Sequence, residues 1–522
     1  MRFVMRGGTV VDGEGMRQAD IAVQDGIIKE VGDVLPGPDD QILDCQGRYV
    51  LPGFIDVHSH ADGFTEDEGV QRALLKQGVT TVIAGQDGVS YAPGSGAYAS
   101  EYFAAINGTH PHYAGGGVAA YLKAVDGRSR LNFAYLVPGG TVRSEVCGRS
   151  SAPADEAQRA QMAALVEQGL REGAVGLSTG LDYVPGIFAT ADEIAALCRP
   201  VAEADGIYVT HMRGGYEANS GAGVSEIVHI AEASRARVHI SHFHADADVI
   251  DEQLGVLRSS GVDATFDAYP YTRGCTLLAM PLLPPELSVL PAETVVNVIS
   301  DPLERVRLRQ DWFPRIRNNA SLGARWPSMI TLGHIAAPEF AWAHGLTLEA
   351  AAAQADTDAI EFALDLLSAS GLEVNAIMAV PHQRSIADLA SIFCQEGHMG
   401  GSDGIFVGAH PHPRARGTFA RYLREYVRET ATWSWPQAVR HLSAGPAARF
   451  SLGQRGRITE GWAADLIVVE PSTVTDTATY ERPLGEAVGI DDVLVAGQPV
   501  LAGGRLVNSA PGKGLRRERT KN

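Results

Sequence analysis

The strongest constraint on the fold of this chain is a repeated alternation of short apolar runs with longer helical stretches. One such stretch, 154–173, has an acidic start and a glycine stop, as helices commonly do. Strands that alternate with helices are typical of parallel sheets. Eight such units predict an α/β fold, a (β/α)8 TIM-like barrel. The predicted strands are 53–60, 80–87, 132–140, 174–180, 207–212, 237–243, 263–271 and 398–403.

The two ends of the chain have a different pattern. Residues 1–52 alternate apolar and polar positions between Gly and Asp turns, which predicts short antiparallel strands. The same pattern returns in 456–470 and 491–507. We therefore predict a small β-domain formed from both chain ends, residues 1–52 and 446–522, around a barrel of residues 53–445.

The interval from about 275 to 395 is too long for one strand-to-strand crossover. It contains two further strand-like runs, MITLGHI and NAIMAV, and an alanine-rich helix pair. We expect an insertion before the last barrel strand that covers the barrel mouth as a lid or pocket wall. The basic tail, 512–522, is predicted to be frayed.

Composition and charge favour a globular, cytoplasmic protein and argue against two classes of partner. The net charge of -19 and the pI near 5.3 argue against nucleic acid or an anionic membrane as partner. The 5 cysteines are scattered without CxxC spacing, which favours reduced thiols over disulfides or a thiolate zinc site. The N-terminus lacks a signal-peptide pattern, and no apolar run approaches a membrane span. The sequence makes no prediction about the oligomeric state.

The first predicted strand ends in an HxH motif, within GFIDVHSHAD at 53–62. Alternate residues of a strand point to the same face, so His58 and His60 would project together. They would do so at the strand's C-terminal end, where parallel barrels carry their chemistry. Imidazole and carboxylate groups suit Zn²⁺ and similar ions, and the set predicts a divalent metal site. Four further polar residues end other predicted strands: Asp87, His211, His242 and Asp403.

With these motifs in place, the chain resembles the amidohydrolase superfamily, and within it the N-acyl-D-amino-acid deacylases, or D-aminoacylases. The resemblance covers nearly the whole chain, and the combination of HxH with GLDYVPG and HPRARGTF is specific to this subgroup. It implies metal-dependent hydrolysis of an N-acyl-D-amino acid to a carboxylate and a free D-amino acid. The motifs that carry it include GLDYVPG (180–186), YVTHMRGG (208–215), FDAYPYT (266–272), GGSDG (400–404) and HPRARGTF (412–419).

The resemblance also implies roles for individual residues. His211 and His242 match the family's principal zinc ligands, and His58 with His60 match a second, weaker metal position. Asp403 matches the carboxylate that takes a proton from the metal-bound water and passes it to the leaving amine.

Two more residues match positions that hold the substrate's α-carboxylate in the family. Tyr183 would supply a directional hydrogen bond and Arg414 a charge-assisted one. Alternatively, Tyr183 is a packed loop aromatic and Arg414 forms a surface ion pair.

Two departures from the family pattern change the expectations. Asp87, in Gly-Gln-Asp-Gly, stands where the family usually has a metal-binding cysteine. We expect Asp87 to be a carboxylate ligand of one or two Zn²⁺ ions. Because an oxygen ligand is harder than a thiolate, the site should also accept Mn²⁺ or Co²⁺. The alternative is that Asp87 only caps the following turn. His244 stands where the family often has lysine. Together with Arg273 it could favour a polar or acidic substrate side chain, unless both residues pack or meet solvent.

Two other functions stay open at this point. One is hydrolysis of a cyclic amide or a dipeptide-like substrate in the same superfamily. The other is a non-catalytic binding protein that keeps the barrel. Loss of Asp403 or of the histidines would favour the non-catalytic alternative, and this sequence keeps them.

Overall fold

The computed structural model describes residues 2–319 and 322–518. Each of the eight predicted barrel strands and both strand-like runs of the insertion overlap an observed strand, but the first barrel strand ends at Asp56, whereas the predicted one extended to residue 60. The strands in chain order are β1 (Arg2–Val11), β2 (Met16–Gln24), β3 (Ile27–Gly32), β4 (Gln41–Asp44), β5 (Tyr49–Pro52), β6 (Phe54–Asp56), β7 (Val79–Ala84), β8 (Asn132–Pro138), β9 (Gly176–Gly180), β10 (Ile207–His211), β11 (Arg237–Ile240), β12 (Ala264–Ala268), β13 (Gly274–Leu277), β14 (Ile330–Ile335), β15 (Val374–Met378), β16 (His398–Gly400), β17 (Leu466–Val469), β18 (Ile490–Val495), β19 (Gln498–Ala502) and β20 (Arg505–Leu506).

The helices fall between the strands as the sequence predicts. Short π-helical segments at 308–312, 422–429 and 440–444 continue three of them. The helices are α1 (Glu68–Leu75), α2 (Ala97–Tyr102), α3 (Ala104–Asn107), α4 (Gly117–Val125), α5 (Gly139–Cys147), α6 (Glu156–Arg171), α7 (Ala191–Glu203), α8 (Ser220–Ser234), α9 (Ala247–Ser259), α10 (Ala279–Leu282), α11 (Ala292–Ser300), α12 (Pro302–Arg307), α13 (Phe313–Arg317), α14 (Trp326–Met329), α15 (Leu348–Gln354), α16 (Ala359–Ala369), α17 (Ile386–Phe393), α18 (Arg414–Arg421), α19 (Trp435–Val439) and α20 (Gly445–Arg449).

The barrel is an 8-stranded sheet in the order β16-β12-β11-β10-β9-β8-β7-β6, and its strand pairs are parallel. Its two edge strands meet through backbone hydrogen bonds: the amide of Val57 donates to Gly400 at 3.3 Å, and that of Asp403 donates to His58 at 2.7 Å. Asp56 strengthens this seam, because its carboxylate accepts the Ser402 amide at 2.8 Å. The prediction of a (β/α)8 barrel is confirmed.

A second, 9-stranded sheet combines both ends of the chain, as predicted. Strand β5 lies between β1 and β17, so the N-terminal and C-terminal parts form one sheet. The prediction of short, purely antiparallel strands was wrong in two respects. FVMRGG and TVVDGEG form one bulged strand, β1, and β1 pairs in parallel with β4 and β5. A bulge between Met5 and Gly8 keeps this long strand in register with β2.

The insertion has a core of its own. Strands β13, β15 and β14 form a three-stranded antiparallel sheet. Trp326, Phe362 and Leu366 are buried in an apolar cluster that is separate from the barrel core. The insertion is therefore a folded unit, and its strand β13 and the segment after β15 reach the barrel mouth.

At the opposite end of the barrel, the described part of the C-terminal tail is packed, so the prediction of a frayed tail was wrong for residues 512–518. The Leu515 amide donates to Phe133 at 2.7 Å, and the Phe133 amide donates to Lys513 at 2.9 Å. Leu515 is 7% exposed and joins an apolar cluster with Ile55, Val57 and Val209. Residues 519–522 lie outside the described part of the chain.

Within residues 2–319 and 322–518, no helix has both the length and the apolar character needed to cross a lipid bilayer.

Candidate metal and catalytic site

The predicted metal residues come together just beyond the C-terminal ends of the barrel strands. Strand β6 ends at Asp56, two residues before His58, so the histidine pair lies in the loop rather than on the strand. Three of the site residues have a left-handed backbone: Asp87 with φ 55°, His242 with φ 35° and Asp403 with φ 48°. This conformation costs free energy for residues other than glycine, and such strain concentrates at functional sites.

Asp87 lies at the centre of the histidines. Its Oδ1 is 3.6 Å from Nε2 of both His58 and His242, and its Oδ2 is 3.6 Å from His60 Nε2 and 3.9 Å from His211 Nδ1. Two ligand groups with closely spaced donor atoms share this carboxylate: one is His58, His60 and Asp87, and the other is Asp87, His211 and His242. The geometry does not favour a capping role, because Asp87 Oδ1 has no hydrogen-bond partner among the described residues.

Asp403 faces the same centre from the last strand. Its Oδ1 lies 3.3 Å from His60 Nε2 and 3.8 Å from His58 Nε2, while its Oδ2 lies 2.8 Å from Arg414 Nη2. Burial alone would raise the pKa of Asp403. Arg414, His60 and the other histidines outweigh that effect and hold the pKa well below the usual range of a carboxyl group. Arg414 and the histidines thus favour the ionised form of Asp403, which is the form that can accept a proton.

Outer contacts fix the orientation of the imidazoles. His60 Nδ1 donates to Asn107 Oδ1 at 2.9 Å, and His211 Nε2 donates to Asp182 Oδ2 at 3.1 Å. Each contact occupies the ring nitrogen that points away from Asp87. A second-sphere oxygen on that nitrogen is the usual arrangement for a metal-binding histidine, because it leaves the other nitrogen free to coordinate.

These residues fit a divalent metal ion. The site is buried, yet both ring nitrogens of His58 and Oδ1 of Asp87 lack hydrogen-bond partners in the described residues. Buried polar atoms without partners are rare, and an ion is one of the standard explanations. The donors are imidazole nitrogens and carboxylate oxygens, which suit Zn²⁺, Mn²⁺ and Co²⁺. The two overlapping ligand groups offer room for one ion or two.

A cleft of about 260 Å³ leads to these groups from the barrel mouth. Tyr183, His244 and Arg273, three of the four predicted substrate-binding residues, line it together with Asp87 and Asp403. Tyr183 is 5% exposed and its hydroxyl lies 3.2 Å from Thr276 Oγ1. His244 packs on Tyr269, and its Nε2 has no hydrogen-bond partner in the chain as described; the Arg273 guanidinium lies 4.2 Å from the Tyr480 ring centre.

Arg414 lies behind Asp403 rather than on the lining of the cleft. It is fully buried, and its guanidinium lies 4.5 Å from the centre of the Tyr269 ring. Its Nε and Nη1 have no hydrogen-bond partner within the described chain. The surface ion pair considered above is thus excluded by burial, and two unpaired donors remain beside the cleft.

Three residues that contribute to the site were not predicted from the sequence. Asp182 and Asp267 both lie in quoted motifs, GLDYVPG and FDAYPYT, but neither received a role. An acidic residue inside an apolar strand was an available signal for Asp267. Arg384 lines the cleft from the loop after β15 and pairs with Glu217 on the facing loop. Nothing local in the sequence connects those two loops.

Comparisons with known proteins agree with this geometry. A model described as "Amidohydrolase family" matches residues 41–284 and 336–501. The chain is 31% identical to the N-acyl-D-glutamate deacylase of Alcaligenes xylosoxydans xylosoxydans, over 99% of this chain and 96% of that protein. It is 30% identical to the D-aminoacylase of the same organism, over 95% of this chain and 94% of that protein.

A solved structure is similar over nearly its full length. The N-acyl-D-glutamate deacylase of Bordetella bronchiseptica, complexed with zinc and a phosphonate inhibitor that mimics the tetrahedral intermediate, superimposes with a TM-score of 0.81. The sequences are 29% identical, and the match covers 98% of this chain and 99% of the other. The chain therefore belongs to the amidohydrolase family, in the group that contains D-aminoacylase and N-acyl-D-glutamate deacylase.

Proposed function

We propose that this protein is a metal-dependent hydrolase that cleaves the amide bond of N-acyl-D-amino acids and releases a carboxylate and a free D-amino acid. The observation that carries the proposal is the convergence of four histidines and two aspartates on one buried centre at the barrel mouth. Membership of a family with deacylase relatives of nearly the same length supports the same reaction. Fold similarity alone would not do so, because one barrel serves many chemistries.

His58, His60, Asp87, His211 and His242 would hold the metal. A divalent ion bound there would lower the pKa of a coordinated water and polarise the amide carbonyl. Asp403 is the proposed general base and acid. Its Oδ1 faces the histidines and the cleft while Arg414 holds Oδ2, so Oδ1 is the atom that takes a proton from the attacking water and delivers it to the leaving nitrogen.

Arg414 and Tyr183 would hold the substrate's α-carboxylate. The unpaired Nε and Nη1 of Arg414 support this role, since a buried cationic donor without an acceptor is costly until an anion arrives. The Tyr183 hydroxyl lies 3.2 Å from Thr276 Oγ1, and its single proton would turn to the substrate carboxylate when that group enters the cleft.

Arg273 and His244 would meet the substrate side chain and favour an acidic or polar one. The insertion would form that wall of the cleft. His244 contributes shape and hydrogen bonding rather than charge, because burial, together with the nearby Arg384, holds its pKa well below the ordinary value. The positive charge at this wall therefore comes mainly from Arg273, since Arg384 is paired with Glu217.

A hydrolase of a cyclic amide remains the second candidate within the family. Asp87 and His244, which replace the family's usual cysteine and lysine, are the residues that favour it. A non-catalytic protein is a poor fit, because the metal-site geometry and the buried Asp403 would then have no use.

The experiment that tests the proposal is a substrate screen with the purified, zinc-loaded protein. Release of free amino acid is measured for N-acetyl-D- and N-acetyl-L-glutamate, aspartate and leucine, together with ring opening of a hydantoin. We expect hydrolysis of D substrates, with acidic side chains ahead of leucine. Hydantoin opening without deacylation would favour the second candidate, and preference for L substrates would contradict the proposal.

A further inference from the structure

Asp267 is a buried carboxylate beneath the proposed metal site. It lies near the end of β12 and is fully buried. Its Oδ1 accepts the backbone amide of His242 at 2.9 Å, and its Oδ2 lies 3.0 Å from His239 Nε2 and 3.6 Å from His58 Nδ1. One carboxylate thus faces three N–H positions, two of which belong to proposed metal ligands.

His58 needs such a partner more than the other histidines do. Both of its ring nitrogens lack hydrogen-bond partners in the part of the chain that the structure describes. Nε2 points toward Asp87 and Asp403, so coordination requires that the proton sit on Nδ1. The Nδ1 to Oδ2 separation is slightly longer than a hydrogen bond, and Asp267 is the acidic group on that side of the ring.

We propose that Asp267 is a positioning residue of the metal site: it keeps the proton of His58 on Nδ1 and holds the strained backbone of His242. The proposal rests on the metal site proposed above. His239 is the anchor of this arrangement. Its Nε2 donates to Asp267, because a carboxylate only accepts, and its Nδ1 is then free to accept from Thr265 Oγ1 at 2.8 Å.

Gly401 supports the same interpretation. A Cβ atom at this position would lie 2.7 Å from Asp267 Oδ1 and 3.0 Å from His58 Cβ. The GGSDG turn that carries Asp403 therefore packs directly against the Asp267 carboxylate and His58. Asp267 thus contacts the segments that bear His58, His242 and Asp403, so its position is coupled to the geometry of the whole centre.

An asparagine cannot replace this carboxylate. Asp267→Asn keeps the shape but has a single acceptor oxygen. If that oxygen accepts from His242, the amide NH₂ faces the Nδ1 of His58 and drives the His58 proton to Nε2, the proposed ligand atom. If the amide is turned round, its NH₂ faces the backbone N–H of His242. Either orientation disrupts one proposed ligand.

The test is a zinc titration of the purified protein against a chromogenic chelator, together with the visible spectrum of the cobalt-substituted protein. We expect Asp267→Asn to bind zinc about 10 to 100-fold more weakly, as loss of an outer partner usually does. The cobalt band should change in shape or intensity because one imidazole is lost. Glu193→Gln is the matched control, a buried carboxylate bonded to Arg143 away from the ligands, and it should leave both readouts unchanged.

A second variant, His239→Leu, keeps Asp267 and every proposed ligand. It should weaken zinc binding less than Asp267→Asn, and the double variant should be no weaker than Asp267→Asn alone, because both changes act through one carboxylate. Wild-type zinc affinity in both single variants would overturn the inference. Absence of zinc binding by the wild-type protein would instead overturn the proposed metal site.

Discussion

The two ends of the barrel are built from the same eight strands but from opposite kinds of side chain. The lower, N-terminal end is filled by apolar residues such as Leu136, Val209 and Phe450 and is closed by Leu515 from the C-terminal tail. The upper, C-terminal end holds buried carboxylates and imidazoles on turns with left-handed backbone, and some of them lack hydrogen-bond partners among the described residues. Stability is thus concentrated at one end and chemistry at the other, a division typical of this barrel.

The apolar core at the lower end offsets the free-energy cost of the strained, polar upper end. Unpaired buried polar atoms and positive φ angles each cost on the order of 1–3 kcal/mol. Burial of one large apolar side chain such as Leu515 at the lower end stabilises the fold by about 1.5–3 kcal/mol. Substitutions at the two ends should therefore separate activity from stability, and the predictions below test that separation.

The largest expected effect is the loss of turnover in Asp403→Asn. An amide cannot accept and return the proton, so kcat should fall by about 10² to 10⁴-fold, while zinc content and Tm stay close to wild type. The matched control at the lower end is Asp465→Asn. Asp465 is buried and accepts from Ala496 and Asn132, so this variant should lose stability and keep its kcat. A slow Asp465→Asn enzyme, or an active Asp403→Asn enzyme, would refute the division.

The next effect concerns the tail. Leu515→Ala should lower the free energy of unfolding by about 2–5 kcal/mol, because it leaves a cavity in the lower core. Denaturant unfolding measures this loss, and kcat of the folded enzyme at low temperature should not change. An equal loss of activity and stability would mean that the two ends are coupled.

Arg414→Met should act on binding and on the pH profile. Loss of a charged contact should weaken the binding of carboxylate substrates by about 1.5–3 kcal/mol relative to the corresponding amides. KM for the carboxylate substrates should rise accordingly. The substitution should also raise the pKa of Asp403, which Arg414 now lowers, and so move the acidic limb of the kcat profile to higher pH. Arg273→Met is the control and should leave that limb in place. Equal effects on acid and amide substrates would show that Arg414 does not bind the carboxylate.

The smallest effect is a loss of stability in acid. Burial lowers the pKa of His110 to about 4 and that of His441 to about 4, whereas both are near 6.5 in the unfolded chain. The unfolded state therefore binds more protons between these values, so stability is full above pH 6.5 and declines as the pH falls toward 4. His110→Gln should flatten this decline by about 1–2 kcal/mol. Equal slopes for variant and wild type would contradict the assignment.

Much of the fold could be predicted because its signals are local. The barrel strands are buried apolar runs, and helix α6 carries its own capping box at Asp155 and Gln158. The docking of the tail was missed because Leu515 pairs with the backbone of Phe133, a contact between distant parts of the chain without a periodic signal. The parallel pairing of β1 with β4 and β5 was missed for the same reason.

In the site, too, the residues with a local sequence signal were predicted and the long-range contacts were not. Strand ends identified the inner residues, such as Asp87 and His242, because parallel strands bring their C-terminal ends together. The outer partners depend on exact side-chain directions: Asp182 reaches His211 from the neighbouring strand end, and Asp267 reaches His58 across the barrel seam. Likewise, the Arg384–Glu217 pair depends on how the insertion folds over the mouth.

The most direct test of the account is metal removal and reloading, followed with N-acetyl-D-glutamate as substrate. The wild-type enzyme should lose activity in parallel with its zinc on chelation and regain it with Zn²⁺, Mn²⁺ or Co²⁺. Asp87→Ala should lose metal and rate together, since Asp87 belongs to both ligand groups. Full activity in metal-free wild-type protein, or an Asp87→Ala enzyme with normal metal content and rate, would contradict the central claim that the upper end of the barrel is a metal-dependent hydrolytic site.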